Sequence, residues 1–158
     1  MRRHLALLAL LALMLPAAAW AMKRDASDGT LSVRQGRGVF TVNARGGIIG
    51  SFAHGRVVVT DPIDGDGTGP IVTGDDWHKF RSETTTVYGG TRVRFRLIGG
   101  KFTIRVYGTG VSLSVVGTGK VTLNGDGTDD DGMYSVNGGS YELVPATAFQ
   151  FPLNASSP

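Results

Sequence analysis

Glycine punctuates this chain every eight to ten residues, at Gly29, Gly38, Gly47 and Gly55 and again at Gly90, Gly100, Gly110, Gly119 and Gly127. Between these marks, apolar and polar residues alternate. Arg92-Val93-Arg94-Phe95-Arg96-Leu97, Lys101-Phe102-Thr103-Ile104-Arg105-Val106, Val111-Ser112-Leu113-Ser114-Val115 and Val121-Thr122-Leu123 all follow a period of two. Such alternation, bounded by glycine turns, predicts half-buried antiparallel strands. Ile98-Gly99-Gly100 and Asn137-Gly138-Gly139 have the composition of hairpin connections.

Composition argues against helix. Residues 22–158 hold 6 Leu, 6 Ala, 2 Glu and 2 Gln, whereas Val, Thr and Ile together supply 37 of those 137 positions. β-Branched side chains are stiff at χ1 and suit a pleated surface. The expected fold is all-β, a two-layer antiparallel β-sandwich, with a β-solenoid or a small β-barrel as the alternatives.

A weak internal repeat bears on how such layers would be built. Gly38-Val39-Phe40-Thr41-Val42 parallels Gly100-Lys101-Phe102-Thr103-Ile104, and His54-Gly55-Arg56-Val57 parallels Thr118-Gly119-Lys120-Val121. Asp64-Gly65-Asp66-Gly67-Thr68 then parallels Asn124-Gly125-Asp126-Gly127-Thr128. Chance likeness between glycine-rich strands is one explanation. A duplication spanning about 29–68 and 90–128 is the other, with each copy a meander forming one layer. A last hairpin, 133–136 with 140–144, would complete one sheet. Residues 61–76 and 124–132 read as acidic loops, placed at one end of the sandwich if the copies are equivalent. Residues 22–145 form the expected domain, and 146–158 read as a frayed tail.

The first 21 residues stand apart. Met1-Arg2-Arg3-His4 is followed by an unbroken Leu/Ala/Met run from Leu5 to Leu15, then Pro16 and the small-residue stretch Ala17-Ala18-Ala19-Trp20-Ala21. That order is the pattern of a secretory signal peptide. The run is shorter than the ~20 residues of a spanning helix. The expectation is therefore a protein secreted or associated with the cell envelope, with no transmembrane anchor once the leader is cleaved.

The leader also distorts the charge. Without Arg2 and Arg3, 14 Lys and Arg face 13 Asp and Glu, so the formal charge of +3 falls to +1. Bulk basicity of the kind that binds nucleic acid is absent, and no nucleic-acid partner is expected. There is no cysteine, hence no disulfide, thiolate metal site or thiol nucleophile.

Three groups of residues invite a chemical reading. Arg92, Arg94 and Arg96 fall on one face of a strand. If Ile98-Gly99-Gly100 closes a hairpin, Lys101, Arg105 and Tyr107 join them on a face two strands wide. Crowded guanidinium forks call for a phosphate- or carboxylate-bearing partner, and a phenol can stack beside them. The plain alternative is a solvated face partly neutralised by acidic loops.

In the second group, Asn124, Asp126, Thr128 and Asp130 alternate through a glycine-containing loop. Such oxygens suit calcium, although no glutamate closes the site. An ordinary acidic turn explains the same residues. The third is the 75–81 stretch with Asp75, Trp77 and His78, where Ser51 or Ser82 completes a serine–histidine–aspartate set on paper only. No Gly-x-Ser-x-Gly elbow is present, and Trp77 with Phe80 would more simply staple a loop to the sandwich edge.

The expected function is therefore a non-enzymatic binding module that recognises an anionic envelope polymer through its Arg/Lys face. The alternatives are an assembly protein acting by sheet-edge pairing and, further off, a secreted hydrolase. No cofactor beyond calcium is suggested.

Overall fold

The computed structural model describes residues 25–157. Residues 1–21, expected to be a signal peptide, lie outside them. Seven strands follow in chain order: β1 (Gly29–Thr60), β2 (Gly67–Thr73), β3 (Trp77–Ser82), β4 (Thr85–Gly125), β5 (Met133–Val136), β6 (Glu142–Leu143) and β7 (Phe149–Leu153). There is no helix among the described residues. All pairings are antiparallel, so the all-β, sandwich-like expectation is met.

Two of the strands are exceptionally long, at 32 residues for β1 and 41 for β4, against about 5–6 for an ordinary strand. They pair with one another in two registers at once. Thr41 lies opposite both Arg105 and Thr122, and Val58 lies opposite both Val87 and Arg105. Each strand therefore winds through both layers.

In the first layer the order is β3, residues 85–90 of β4, 55–60 of β1, 101–108 of β4, 38–46 of β1, 117–125 of β4, then β7. In the second it is β2, residues 91–98 of β4, 47–54 of β1, 109–117 of β4, 29–36 of β1, then β5 and β6.

The glycines mark where a strand turns from one layer into the other. Gly125, Gly38, Gly108, Gly55 and Gly90 are successive cross-strand partners in one row. Gly29, Gly117 and Gly46 form a second row at the opposite corner. At these corners backbone lies against backbone. A β-carbon on Gly46 would run into the Val116 carbonyl oxygen, and φ there is +144°, a conformation that side chains rarely adopt.

One core lies between the layers. Phe40, Val42, Ile48, Phe52, Val57, Phe95, Phe102, Ile104, Leu113 and Leu123 are all buried within it. Inward and outward positions alternate between corners, as the sequence pattern requires. The phase slips at some corners, however. Val93, Phe95 and Leu97 face in at odd positions, whereas beyond Gly100 the buried residues are Phe102, Ile104 and Val106.

Several local expectations are corrected. Ile98-Gly99-Gly100 is a corner inside β4, with φ of +73° at Gly99 and +75° at Gly100, and no hairpin forms there. The proposed copies do not each form a layer, because β1 and β4 both contribute to both. Residues 67–73 form strand β2, since Ile71-Val72-Thr73 is β-branched and an edge position tolerates Gly69-Pro70.

The C-terminal tail is not frayed. β7 pairs with residues 119–123 and buries Phe151 and Leu153, an alternation present in Phe149-Gln150-Phe151-Pro152-Leu153 itself. Residues 77–82 form edge strand β3, with Phe80 73% exposed, so Phe80 staples nothing. The last hairpin does form. Asn137 (φ +51°) and Gly138 (φ +74°) make its turn, closed by the Gly139 amide donating to the Val136 carbonyl at 2.9 Å, the geometry that favours Asn-Gly.

Candidate functional site

Charge is partitioned by secondary structure. Of the 13 acids, 12 lie before β1 or between strands, and Glu142 in β6 is the exception. All 12 lysines and arginines of the described residues lie on strands. A formal charge near neutrality thus conceals acidic turns and cationic sheet faces.

The turn carboxylates mostly serve the backbone. Asp66 accepts from the Lys101 amide at 3.0 Å, and Asp76 accepts from the Thr91 amide at 3.0 Å. Each caps the residue that follows a corner glycine, Gly100 or Gly90. Asp66 also pairs with Arg45 at 3.5 Å. The acidic segments share an end only in part, since Asp76 sits at the Gly90 corner, in the same row as Gly125. Asp66 sits at the Gly100 corner, whereas residues 126–131 follow Gly125 in the opposite row.

Asn124 lies on β4, and the loop that follows, with Asp126, Thr128 and Asp130, is closed from within by buried Asp131. Its carboxylate accepts from the Thr128 amide at 3.1 Å, the Thr128 hydroxyl at 2.7 Å and the Gly127 amide at 2.6 Å. Thr128 therefore spends its proton on Asp131. No three His, Cys, Asp or Glu side chains among the described residues are grouped to hold a metal. The calcium expectation thus finds no gathered set of acid side chains among the described residues.

Burial by itself would raise the Asp131 carboxyl. The donors from Thr128 and Gly127 outweigh it and hold the group below 3.8. A depressed carboxyl stabilises the fold above its unfolded value and loses that contribution as pH falls through the folded value. Asp131→Asn is expected to melt lower than the parent at neutral pH. Its melting temperature is expected to fall less steeply below about pH 4, as read by thermal denaturation across pH.

The cationic residues singled out in the sequence are not brought together. Arg94 and Arg96 lie on the outer face of the second layer. Arg92, with φ +59°, stands at the Gly90 corner beside them. Lys101, Arg105 and Tyr107 belong to the first layer and face the opposite way. The physical reason is the corner at Gly99–Gly100, which carries β4 into the other layer where a hairpin would have folded it back alongside.

A different neighbourhood forms around Arg94 and Arg96. Cross-strand register sets Ile71, Arg96, Ile49, Ser114 and Ser32 in one row. Thr73, Arg94, Ser51 and Ser112 form the next, with Arg34 at its far end beside the pair Val33–Leu113. The middle strands carry the short side chains of Ser51, Ser112 and Ser114 with Ile49 as their one large residue, and the arginines stand on the flanking strands. The result is a groove of about 660 Å³.

Arg94, Arg96 and Ile71 stand on one side of it and Arg34 on the other. The Arg34 guanidinium lies 4.1 Å from the centre of the Tyr141 ring, and the Tyr141 hydroxyl bonds the Ser32 hydroxyl at 2.8 Å. Stacking of this kind fixes a guanidinium while leaving its edge donors free. No ion pair engages Arg34, Arg94 or Arg96 among the described residues.

Arg34, Ser32, Ile49 and Ile71 were not singled out from the sequence, and Ser51 was named there only as a nucleophile on paper. Leu31-Ser32-Val33-Arg34 alternates as visibly as the arginine strand does, but only the double register reveals that it faces the same groove. The histidine stretch gives no catalytic set. His78 contacts Asp75 at 3.3 Å and the rings of Phe80 and Tyr88. The Ser82 hydroxyl bonds Thr84, and Ser51 lies in the groove of the second layer.

No family model, no curated protein and no solved structure matches the chain.

Proposed function

We propose that this protein is a non-enzymatic binding module of the cell envelope or extracellular space, and that its groove takes an anionic polymer, a glycan bearing uronate or phosphate groups. The signal-peptide pattern of residues 1–21 supports export. The arginine arrangement carries the reading of the ligand. Arg94 and Arg96 are separated from Arg34 by three strand spacings, roughly 14 Å at about 4.8 Å each. Two cationic poles that far apart suit successive charges on an extended chain better than one small anion. Between them the hydroxyls of Ser32, Ser51, Ser112 and Ser114 both donate and accept, as a sugar's hydroxyls do. The aromatic residue that lines the groove, Phe95, is buried and offers no open face on which a nucleobase would stack.

Edge-to-edge assembly is the second reading, and the edges disfavour it. β2 carries Gly69-Pro70 and a register shift, β3 carries Lys79 and Arg81, β6 has 2 residues, and β7 carries Pro152. Proline, edge cations, irregularity and shortness are the devices that keep sheet edges from pairing.

The test is retention of the purified protein on an immobilised polyuronate. The expected result is retention in dilute buffer and release by about 1 M salt, where the screening length is roughly 3 Å. Equal retention on a neutral glucan, or retention indifferent to salt, would refute the reading.

A further inference from the structure

The first layer presents its own outer face, and one row across it reads Trp77, Gly89, Arg56, Tyr107 and Val39 in successive cross-strand register. Gly89 has no side chain, and the Trp77 indole occupies the place where its β-carbon would stand. The indole therefore lies over Gly89, and Trp77 is 49% exposed. Tyr107 is flanked by two guanidiniums, Arg56 at 4.4 Å and Arg105 at 5.0 Å from its ring centre. Trp77, Arg56, Arg81, Val58, Val87 and Tyr107 enclose a hollow of about 310 Å³. Arg56, Arg81 and Arg105 are in no ion pair among the described residues.

We propose that this hollow is a second saccharide site, which takes one uronic-acid residue of the same class of polymer. The proposal rests on the anionic-glycan reading but not on the groove. A half-exposed indole seated over Gly89 offers a platform for the C–H face of a pyranose ring. The guanidiniums beside it present the paired donors that a carboxylate accepts. An indole alone would take a neutral sugar as well. Unpaired arginines at the same hollow select the acid, because a ligand without charge would leave them unanswered. The site faces away from the groove, so the two faces hold separate stretches of polymer.

Trp77 reports on this site directly. The only other tryptophan is Trp20, and Trp20→Phe in the full-length protein isolates the signal. The probe is a tri-uronate, compared with the uncharged trisaccharide of the same linkage, added to this protein and to the same protein carrying Arg94→Ser and Arg96→Ser. The expected result is a saturable change in Trp77 fluorescence in both, with affinity for the neutral sugar about tenfold lower or less.

Arg56→Ser with Arg105→Ser is expected to weaken the response at least about tenfold. Arg105→Gln alone serves if the double variant melts early. A fluorescence response unchanged by these substitutions overturns the site. So does calorimetric binding of tri-uronate without any fluorescence change, an outcome that leaves the groove standing. Absence of binding by both methods overturns the second site together with the glycan reading.

Discussion

Gly46→Ala is expected to destabilise the protein by roughly 3–5 kcal/mol, a large part of the about 5–15 kcal/mol that holds a domain of this size together. Two effects combine. The residue sits at φ +144°, outside the range open to alanine without strain. The added methyl also meets the Val116 carbonyl at the point where β1 and β4 turn together, and backbone on the far side cannot give way without disturbing its own pairing with residues 29–31.

Gly138→Ala is the matched control. Its φ is also positive, at +74°, but nothing lies within 4 Å of the added carbon, so only the left-handed penalty of about 1–2 kcal/mol applies. Chemical denaturation of both variants checks the difference. A Gly46 variant no worse than the Gly138 variant would mean that the corners are not what they are described to be.

The second large effect is on binding. Arg94→Ser combined with Arg96→Ser is expected to weaken attachment to polyuronate by about 30-fold in dilute buffer and to flatten its salt dependence. Hydrogen bonds to charged groups contribute about 1.5–3 kcal/mol each when well formed. Exposure and screening discount that figure toward about 1 kcal/mol per guanidinium, and two such losses correspond to roughly 30-fold. Both side chains are exposed, and neither is in an ion pair, so the melting temperature is expected to hold. Affinity and salt slope both unchanged in the double variant would contradict the placement of the ligand.

The strand class, the inward residues and the last hairpin were legible because each depends on local pattern. Phe95 and Ile104 lie in alternating stretches, and Asn137-Gly138 names its own turn. The candidate site was only half legible. Arg94 and Arg96 are conspicuous, but their partners depended on whether Gly99-Gly100 reverses the strand or bends it. Adjacent glycines permit either. Composition cannot decide between them, because the decision lies in which distant segment pairs with 92–97. In this fold β2 and β1 flank it, and Lys101 with Arg105 continues into the other layer. The work of the acidic turns was not legible either. Alternating oxygens resemble ligands, yet Asp66, Asp76 and Asp131 are occupied by backbone amides that the turns leave unpaired.

The most direct test of the groove is an amide chemical-shift titration of the isotope-labelled protein with an anionic oligosaccharide long enough to span about 14 Å, three strand spacings. The predicted result is a contiguous set of shifts at Arg34, Ser51, Arg94, Arg96, Ser112 and Ser114, fading as salt is added. Shifts confined to the acidic loops at 61–66 and 126–131, or a groove whose amides do not move at saturating ligand, would contradict it.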